Sequence, residues 1–385
     1  MKKLIYLCPA LICFAFGGLL YITTEKFTDA GMSKAMIALP ATIEAAVTFL
    51  LNFLIVKLLN ERNAGRLVVA GGIIMALTSI LFRLFDNLYA QLVWMGLFGI
   101  AFCLYCAPFQ LFMKCVERNA SSGVARAAGR YTAAWSLGFA TGPVVFAMLR
   151  PETGYIVCAI AGLLIAAIVI PADAACKKAE ALPETDSCNG GDGEKRDVPD
   201  FAMVGWIVGG VGLLTVCMLR SMWQPYGKEL GIPDKSIAYV LSLISYVQGF
   251  VALALTRSKN WMFRALPVAL MGLAGVVSMA CFRFGSSVNV FYIAAAVYGI
   301  YSGCYYFVFV YYSLIHPVKA ARNAVINEII VGGLGIPAPV VIGIIAQRTG
   351  IPPVFTFFTF MALLAVIIHI AAVMRLHRTE TGKGI

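Results

Sequence analysis

The chain has 385 residues, of which 61% are hydrophobic and only 13% are charged. A soluble domain carries about 25% charged residues, so this composition excludes a globular protein that faces water on all sides. The net charge of +11 does not indicate a nucleic-acid partner, because the basic residues lie in short stretches between apolar runs and form no patch or arm.

The N-terminal sequence MKKLIYLCPALICFAFGG begins like a signal peptide, with two lysines before an apolar stretch. No clean small-residue cleavage site ends it and further apolar runs follow, so it is predicted to be a retained first transmembrane helix. Twelve segments are long and apolar enough to cross the membrane as helices. They lie near 4–23, 36–58, 67–85, 89–113, 127–149, 155–171, 201–224, 236–255, 265–282, 288–314, 324–346 and 353–373.

The predicted fold is therefore an all-α membrane protein with two halves of six helices, residues 1–171 and 201–374. Residues 172–200 are polar and rich in Gly, Pro and charge, which predicts a flexible linker, and 375–385 form a tail. With the N-terminus in the cytoplasm, 21 of the 30 Lys and Arg residues fall on the cytoplasmic side. This bias predicts an inner-membrane protein with both termini and the linker in the cytoplasm.

An internal repeat supports two pseudo-symmetric halves. Residues 126–154 align without gaps to 322–350, and seven of the 29 positions are identical, including Pro143 with Pro339. A weaker similarity joins GMSK at 31–34 to GIPDK at 231–235. Duplicated halves around a central site are typical of secondary transporters.

Two segments carry a resemblance to a known family. The loop Asn60-Glu61-Arg62-Asn63-Ala64-Gly65-Arg66 resembles, with one inserted residue, the loop motif of the major facilitator superfamily, although Lys57 replaces its first glycine. Gly129, Gly138, Gly142 and Pro143 resemble that family's glycine–proline motif in the fifth helix, but Phe146 and Ala147 replace its closing glycines. The resemblance implies alternating access between two rocking halves, and the glycine–proline motif is associated with antiporters.

The candidate gating residues follow from these motifs. They are Glu61, Arg62, Arg66, Gly138, Gly142, Pro143 and Glu328. Small residues let helices approach closely and proline permits a bend, which suits either gating or simple packing. Arg62 and Arg66 suit gating or cytoplasmic anchoring, and Glu328 near a helix start suits gating or interaction with the helix dipole.

Ionisable groups inside a span are costly and are therefore functional candidates. Glu44, in the second helix, is the candidate proton-coupling residue; the alternative is a protonated acid hydrogen-bonded to a neighbouring helix. The candidate substrate-binding residues are Gln110, Tyr131, Arg220, Trp223, Gln248, Tyr298, Tyr301 and Tyr305. Arg220 offers a fork of donors to an anion, and the three tyrosines of the tenth helix share one face. Snorkelling of the arginine and core packing of the tyrosines are the alternatives.

The predicted function is a secondary transporter, a proton symporter that takes up a small polar solute such as a sugar or an organic anion. Proton-coupled drug export is the alternative within transport, and a membrane enzyme or a sensor without transport is the alternative of another class.

No catalytic motif or ATP-binding loop is present in the sequence, so neither an enzyme nor a cofactor is predicted. No metal site is expected either, since the pair Cys103 and Cys106 lacks a second pair at ligand spacing. The partners predicted are the solute, protons and lipids, and the protein is predicted to be a monomer.

Overall fold

The computed structural model describes residues 4–60, 62–117, 124–180, 201–257, 261, 263–314 and 320–382. Over these ranges the regular structure is helical. After a short 3₁₀ turn at Leu4–Tyr6, the α-helices are α1 Leu7–Asp29, α2 Lys34–Leu58, α3 Ala64–Leu84, α4 Leu88–Glu117, α5 Val124–Met148, α6 Pro151–Glu180, α7 Ala202–Glu229, α8 Asp234–Leu255, α9 Ala265–Phe284, α10 Val288–Leu314, α11 Ala320–Gly335, α12 Pro337–Thr349 and α13 Ile351–Gly382.

Eleven helical segments among the described residues are long and apolar enough to cross a membrane. Helix α5 is not one of these eleven, but it packs in the same bundle and brings the number of long helical segments to twelve. The predicted all-α membrane fold is confirmed. Two boundaries differ from the prediction. Helix α6 continues to Glu180, so its last turns include residues that were assigned to the linker. The predicted eleventh helix is divided at Ile336, because Pro337 cannot donate the next backbone hydrogen bond and its ring disfavours a continuous helix.

The two halves repeat one another at the level of individual turns. Helix α1 ends at a turn in which Gly31 has φ +66°, and α7 ends at a turn in which Gly231 has φ +70°. The hydrogen bonds of the two turns correspond: Met32 N–H donates to Phe27 O, and Ile232 N–H donates to Gly227 O. Glycine adopts this left-handed backbone without steric cost. The weak sequence similarity at these positions therefore marks a structural repeat with an offset of 200 residues.

The same offset relates the contacts between neighbouring helices. An added Cβ on Gly99 would lie 2.8 Å from Glu44 O, and one on Gly299 would lie 2.7 Å from Ile244 O. In each half these glycines let the fourth helix pack on the backbone of the second. Each half has its own buried apolar core, and α5 and α8 pack side by side along the boundary between the halves.

Charged contacts join the halves at one end of the bundle. We call this end, formed by residues 26–37 and 226–237, the ion-paired end. There Lys34 Nζ lies 2.8 Å from Glu229 Oε1, and Lys228 forms an ion pair with Asp29. Lys34 N–H also donates to Gln347 Oε1 at 2.9 Å. Helices α1–α6 and α7–α13 are thus bonded directly to each other at this end.

Candidate solute-binding cavity

A cavity lies between the two halves, at mid-depth in the bundle. Helices α1, α5, α7, α8 and α10 line it, so both halves contribute to its wall. The lining residues are Gly17, Leu20, Tyr21, Phe139, Pro143, Val216, Leu219, Arg220, Gln224, Leu241, Ile244, Ser245, Gln248 and Tyr298. Most of the wall is apolar. The polar groups are one guanidinium, two amides and a few hydroxyls, and the described lining residues include no Asp or Glu.

Arg220 supplies the only positive charge among these lining residues. It lies about 14 Å along α7 from the helix end at Glu229, at a rise of 1.5 Å per residue. Its guanidinium carbon is 4.1 Å from the centroid of the Phe139 ring, which gives a cation–π contact between the halves. Within the described part of the chain, Arg220 has no hydrogen bond or ion pair. It does not snorkel to the end of the helix.

The two glutamines that line the cavity differ in their hydrogen bonding. Gln248 is engaged at both ends of its amide: Nε2 donates to Ser136 Oγ at 3.0 Å, and Oε1 accepts from Ser302 Oγ at 2.7 Å. It therefore bridges α8 to α5 of the other half and to α10. Gln224 is 1% exposed, and its Nε2 has no hydrogen-bond partner among the described residues.

Glu44 lies on α2, close to the cavity but outside its described lining. Its side chain is 5% exposed, and its Oε1 lies 3.0 Å from Thr48 Oγ1. The same hydroxyl lies 3.1 Å from Gly99 O on α4. No ion pair to Glu44 occurs in the described ranges. The carboxyl group therefore has a hydroxyl and no cation within ion-pair distance, and it interacts electrostatically with Arg220 at longer range.

The tyrosines of α10 do not act as one set. Tyr298 lines the cavity, and its hydroxyl is 2.7 Å from Thr215 Oγ1. Tyr301 and Tyr305 are buried and face α9, where the Tyr301 ring lies against Gly275 and the Tyr305 hydroxyl lies 2.9 Å from the site of a Cβ on Gly272. Their placement does not support the prediction that they contact solute, because both rings pack against glycines of α9 and do not line the cavity.

Three other predicted contacts also lie elsewhere. Trp223 is fully buried between Phe282 and Phe291, and its Nε1 donates to Ile237 O at 3.1 Å. Gln110 is exposed, and Tyr131 stacks on Phe109 with ring centroids 6.1 Å apart; neither residue lines the cavity. The sequence places these residues inside apolar helices, but it does not show which face of each helix they occupy.

The glycine–proline segment is where α5 meets α1. An added Cβ on Gly138 would overlap Ala10 O, and one on Gly142 would lie 2.5 Å from Phe14 O. Pro143 lies within α5 and lines the cavity. The backbones of α1 and α5 are therefore in direct contact beside the cavity.

Of the four candidate gating residues outside the glycine–proline segment, the structure describes two side chains. Arg62 and Arg66 are exposed. Glu61 and the side chain of Glu328 lie outside the described residues. The helix that begins after this loop approaches α6 closely, since an added Cβ on Gly65 would overlap the Asp173 carboxylate.

Two features of this region are not evident from the sequence. Gln224 lies one helical turn from Arg220, and this spacing could have drawn attention to it. The partners at the ion-paired end could not have been found, because they join residues almost 200 positions apart. Only the three-dimensional arrangement shows which acid meets which lysine.

A sequence profile described as Major Facilitator Superfamily matches residues 5–329. This chain belongs to the major facilitator superfamily. It is a multi-pass membrane protein and a secondary transporter rather than an enzyme, and the resemblance stated from its motifs is confirmed. A comparison with curated protein sequences finds no match.

Solved structures of transporters share the fold at low sequence identity. The nucleoside transporter NupG is 13% identical, with 96% of this chain and 98% of that chain covered at a TM-score of 0.67. A bacterial homolog of the human lysosomal transporter Spinster is 14% identical, with 97% and 96% covered at 0.67. The human organic anion transporter MFSD10 is 14% identical, with 96% and 98% covered at 0.64. At these identities the likeness establishes the architecture of two six-helix halves.

Proposed function

We propose that this transporter takes up a small organic anion together with protons, by alternating access of the central cavity. The carrying observation is Arg220, which lies at mid-depth, lines the cavity and has no hydrogen bond or ion pair among the described residues, although Glu44 interacts with it electrostatically. A permanent charge in a membrane span is costly unless a partner compensates it, so an anionic solute would supply what the chain does not. We propose that the protein transports as a monomer, since both halves of one chain contribute to the wall of the cavity.

Proton coupling is assigned to Glu44. The Thr48 hydroxyl has one proton but two acceptors within reach, Glu44 Oε1 and Gly99 O. When Glu44 is protonated, it can donate to Thr48, and Thr48 can then donate to Gly99. When Glu44 is ionised, the hydroxyl turns to the carboxylate. A change of protonation at Glu44 therefore changes a bond between α2 and α4.

The ion-paired end is assigned to the periplasmic side and to the outer gate. The positive-inside distribution places the α1–α2 and α7–α8 turns outside and both termini in the cytoplasm of an inner-membrane protein. The contacts of Lys34 and Lys228 then close the cavity toward the periplasm. Gly138, Gly142 and Pro143 form the sliding contact between α5 and α1. Glu61, Arg62, Arg66 and Glu328 are proposed for the cytoplasmic gate.

The test uses purified protein in proteoliposomes loaded with each of a panel of organic anions, sugars, amino acids and lipophilic cations. Wild type is expected to exchange at least one organic anion and to accumulate it when a proton gradient is imposed. Glu44→Gln is expected to keep exchange but to lose accumulation, whereas Glu152→Gln, an exposed acid at the start of α6, should keep both.

Unchanged gradient-driven accumulation in Glu44→Gln would refute the coupling assignment. Transport confined to lipophilic cations would refute the uptake proposal in favour of drug export. If no solute in the panel is exchanged by the wild-type protein, the proposed transport of a small organic solute fails altogether.

A further inference from the structure

We infer that the solute is a monocarboxylate with an apolar body, and that Arg220 and Gln224 together bind its carboxylate. This inference rests on the proposed function and specifies its substrate. Arg220 was expected to contact an anion, but Gln224 was not singled out in the sequence, and the pair sets the charge and shape of the ligand.

The guanidinium of Arg220 keeps its donors free. Its described contact is with the Phe139 ring, at 4.1 Å from the centroid. A cation–π contact of this kind uses none of the five N–H groups, so the fork remains available to a carboxylate. Planar, bidentate binding of carboxylates is the arrangement to which arginine is best suited.

Gln224 adds a second donor on the same face of α7. Residues four positions apart on a helix lie one above the other, so Gln224 is directly next to Arg220 toward the ion-paired end. Its side chain lines the cavity and is 1% exposed, yet its Nε2 has no partner among the described residues. A buried donor left unpaired is unfavourable, and rotation of the amide toward the cavity would let an acceptor on the solute satisfy it.

Of the other polar side chains that line the cavity, only Ser245 has no hydrogen bond among the described residues. Gln248 is bonded to Ser136 and Ser302, and the Tyr298 hydroxyl lies 2.7 Å from Thr215 Oγ1. The Tyr21 hydroxyl lies 3.3 Å from Asp234 O. A sugar needs many hydrogen-bonding partners around its ring, and the cavity does not offer them. A single carboxylate needs only the two donors on α7.

The two halves contribute different residues at corresponding positions of the site. The residues that correspond to Arg220 and Gln224 at the offset of 200 are Leu20 and Thr24. Leu20 lines the cavity, and the Thr24 hydroxyl donates to Leu20 O at 2.8 Å. The first half therefore contributes an apolar surface and no second cation. A dicarboxylate would leave one charge against Leu20, Leu219 and Ile244, so a monoanion with an apolar body fits better.

The test measures binding of matched acid and amide pairs to the purified full-length protein by calorimetry. The probes are benzoate with benzamide and cyclohexanecarboxylate with its amide, and succinate and glucose are added as further solutes. Wild type is expected to bind at least one of the two acids about ten times more tightly than its amide, and more tightly than succinate or glucose.

Four variants separate the roles of the two residues. Arg220→Gln should abolish the preference for acid over amide, while Arg283→Gln should keep it. Arg283 is a matched control, because its guanidinium carbon lies 5.0 Å from the Phe284 ring, outside the cavity. Gln224→Leu should weaken acid binding about tenfold, and Gln224→Glu should remove acid binding, because the new carboxylate would pair with Arg220.

The binding result of a variant is used only if its unfolding temperature is close to that of wild type. Arg220→Lys provides a second change at this position, which conserves the charge and should retain part of the preference for acid over amide. Equal binding of acids and amides by the wild-type protein, binding of neither acid, or a full acid preference in Arg220→Gln would overturn the inference. If organic anions are exchanged in proteoliposomes while the preference for acids over amides is missing, the proposed function stands and only the monocarboxylate site is refuted.

Discussion

Lys34 Nζ of α2 lies 2.8 Å from Glu229 Oε1 of α7, and this ion pair joins the two halves of the transporter. The Glu229 side chain is 48% exposed, so the pair is worth only about 0.2–1 kcal/mol. We expect Lys34→Glu to bring two acids together and to open the ion-paired end more often, by up to about fivefold. Hydrogen exchange of residues 26–37 and 226–237 in purified protein would show this as faster amide exchange.

The reciprocal change provides the control. The double variant Lys34→Glu with Glu229→Lys restores opposite charges and should return exchange toward the wild-type rate. Exchange in the double variant that is as fast as in Lys34→Glu would contradict a direct interaction between these two residues.

The glycines of the bundle should differ sharply in their tolerance of alanine. A Cβ on Gly138 would overlap the backbone of Ala10, whereas a Cβ on Gly333 would have no atom within 4 Å. We expect Gly138→Ala to destabilise the protein by about 1–3 kcal/mol, because two helix backbones must separate. Gly333→Ala should be neutral or stabilising by up to about 1 kcal/mol, since glycine is unfavourable within a helix. Thermal unfolding in one detergent would compare them, and equal effects would refute the packing argument.

Trp223 should matter for stability and not for solute affinity. It packs between Phe282 and Phe291 and donates to Ile237 O. Trp223→Ala should cost about 3–5 kcal/mol, and Trp223→Phe should cost about 1 kcal/mol for the lost hydrogen bond. Calorimetry with a solute that binds wild type should give an unchanged dissociation constant for Trp223→Phe. A large loss of affinity in this well-folded variant would restore the solute contact predicted from the sequence.

Thr48 should influence coupling through its hydroxyl. Thr48→Val removes the group that joins Glu44 to Gly99, so proton-driven accumulation should fall by about tenfold, which corresponds to about 1.4 kcal/mol. Thr48→Ser keeps the hydroxyl and should retain most of the accumulation. Solute exchange without a gradient serves as the reference for both variants. Normal accumulation in Thr48→Val would show that Glu44 titrates independently of this bond.

The architecture could be predicted from the sequence because the membrane limits the choice of structure. Every backbone polar group must be satisfied within the bilayer, so the apolar runs could only be helices, and their number and the repeat gave the two halves. The break at Ile336 was missed even though Pro337 stands there, because membrane helices often continue through a proline.

The site was only partly predictable. Arg220, Gln248, Tyr298 and Pro143 do line the cavity, but Trp223, Gln110, Tyr131, Tyr301 and Tyr305 do not. A soluble helix shows its buried face by alternation of polar and apolar residues, and a helix that is apolar all round gives no such signal. The orientation of the tyrosines depends on glycines of another helix, Gly272 and Gly275, which no local pattern reveals.

The matching turns at Gly31 and Gly231 have a consequence for how the halves recognise each other. At the offset of 200, Lys34 corresponds to Asp234 and Asp29 corresponds to Glu229. Two copies of the first half, facing each other in the same way, would bring Lys34 against Asp29 twice. Two copies of the second half would bring Asp234 against Glu229, acid against acid. The same arrangement would also bring Lys228 against Glu229, so each copy of the second half would have one repulsive and one attractive contact, whereas both contacts of the mixed pair are attractive. Separately expressed halves should therefore assemble as a mixed pair in preference to a pair of second halves.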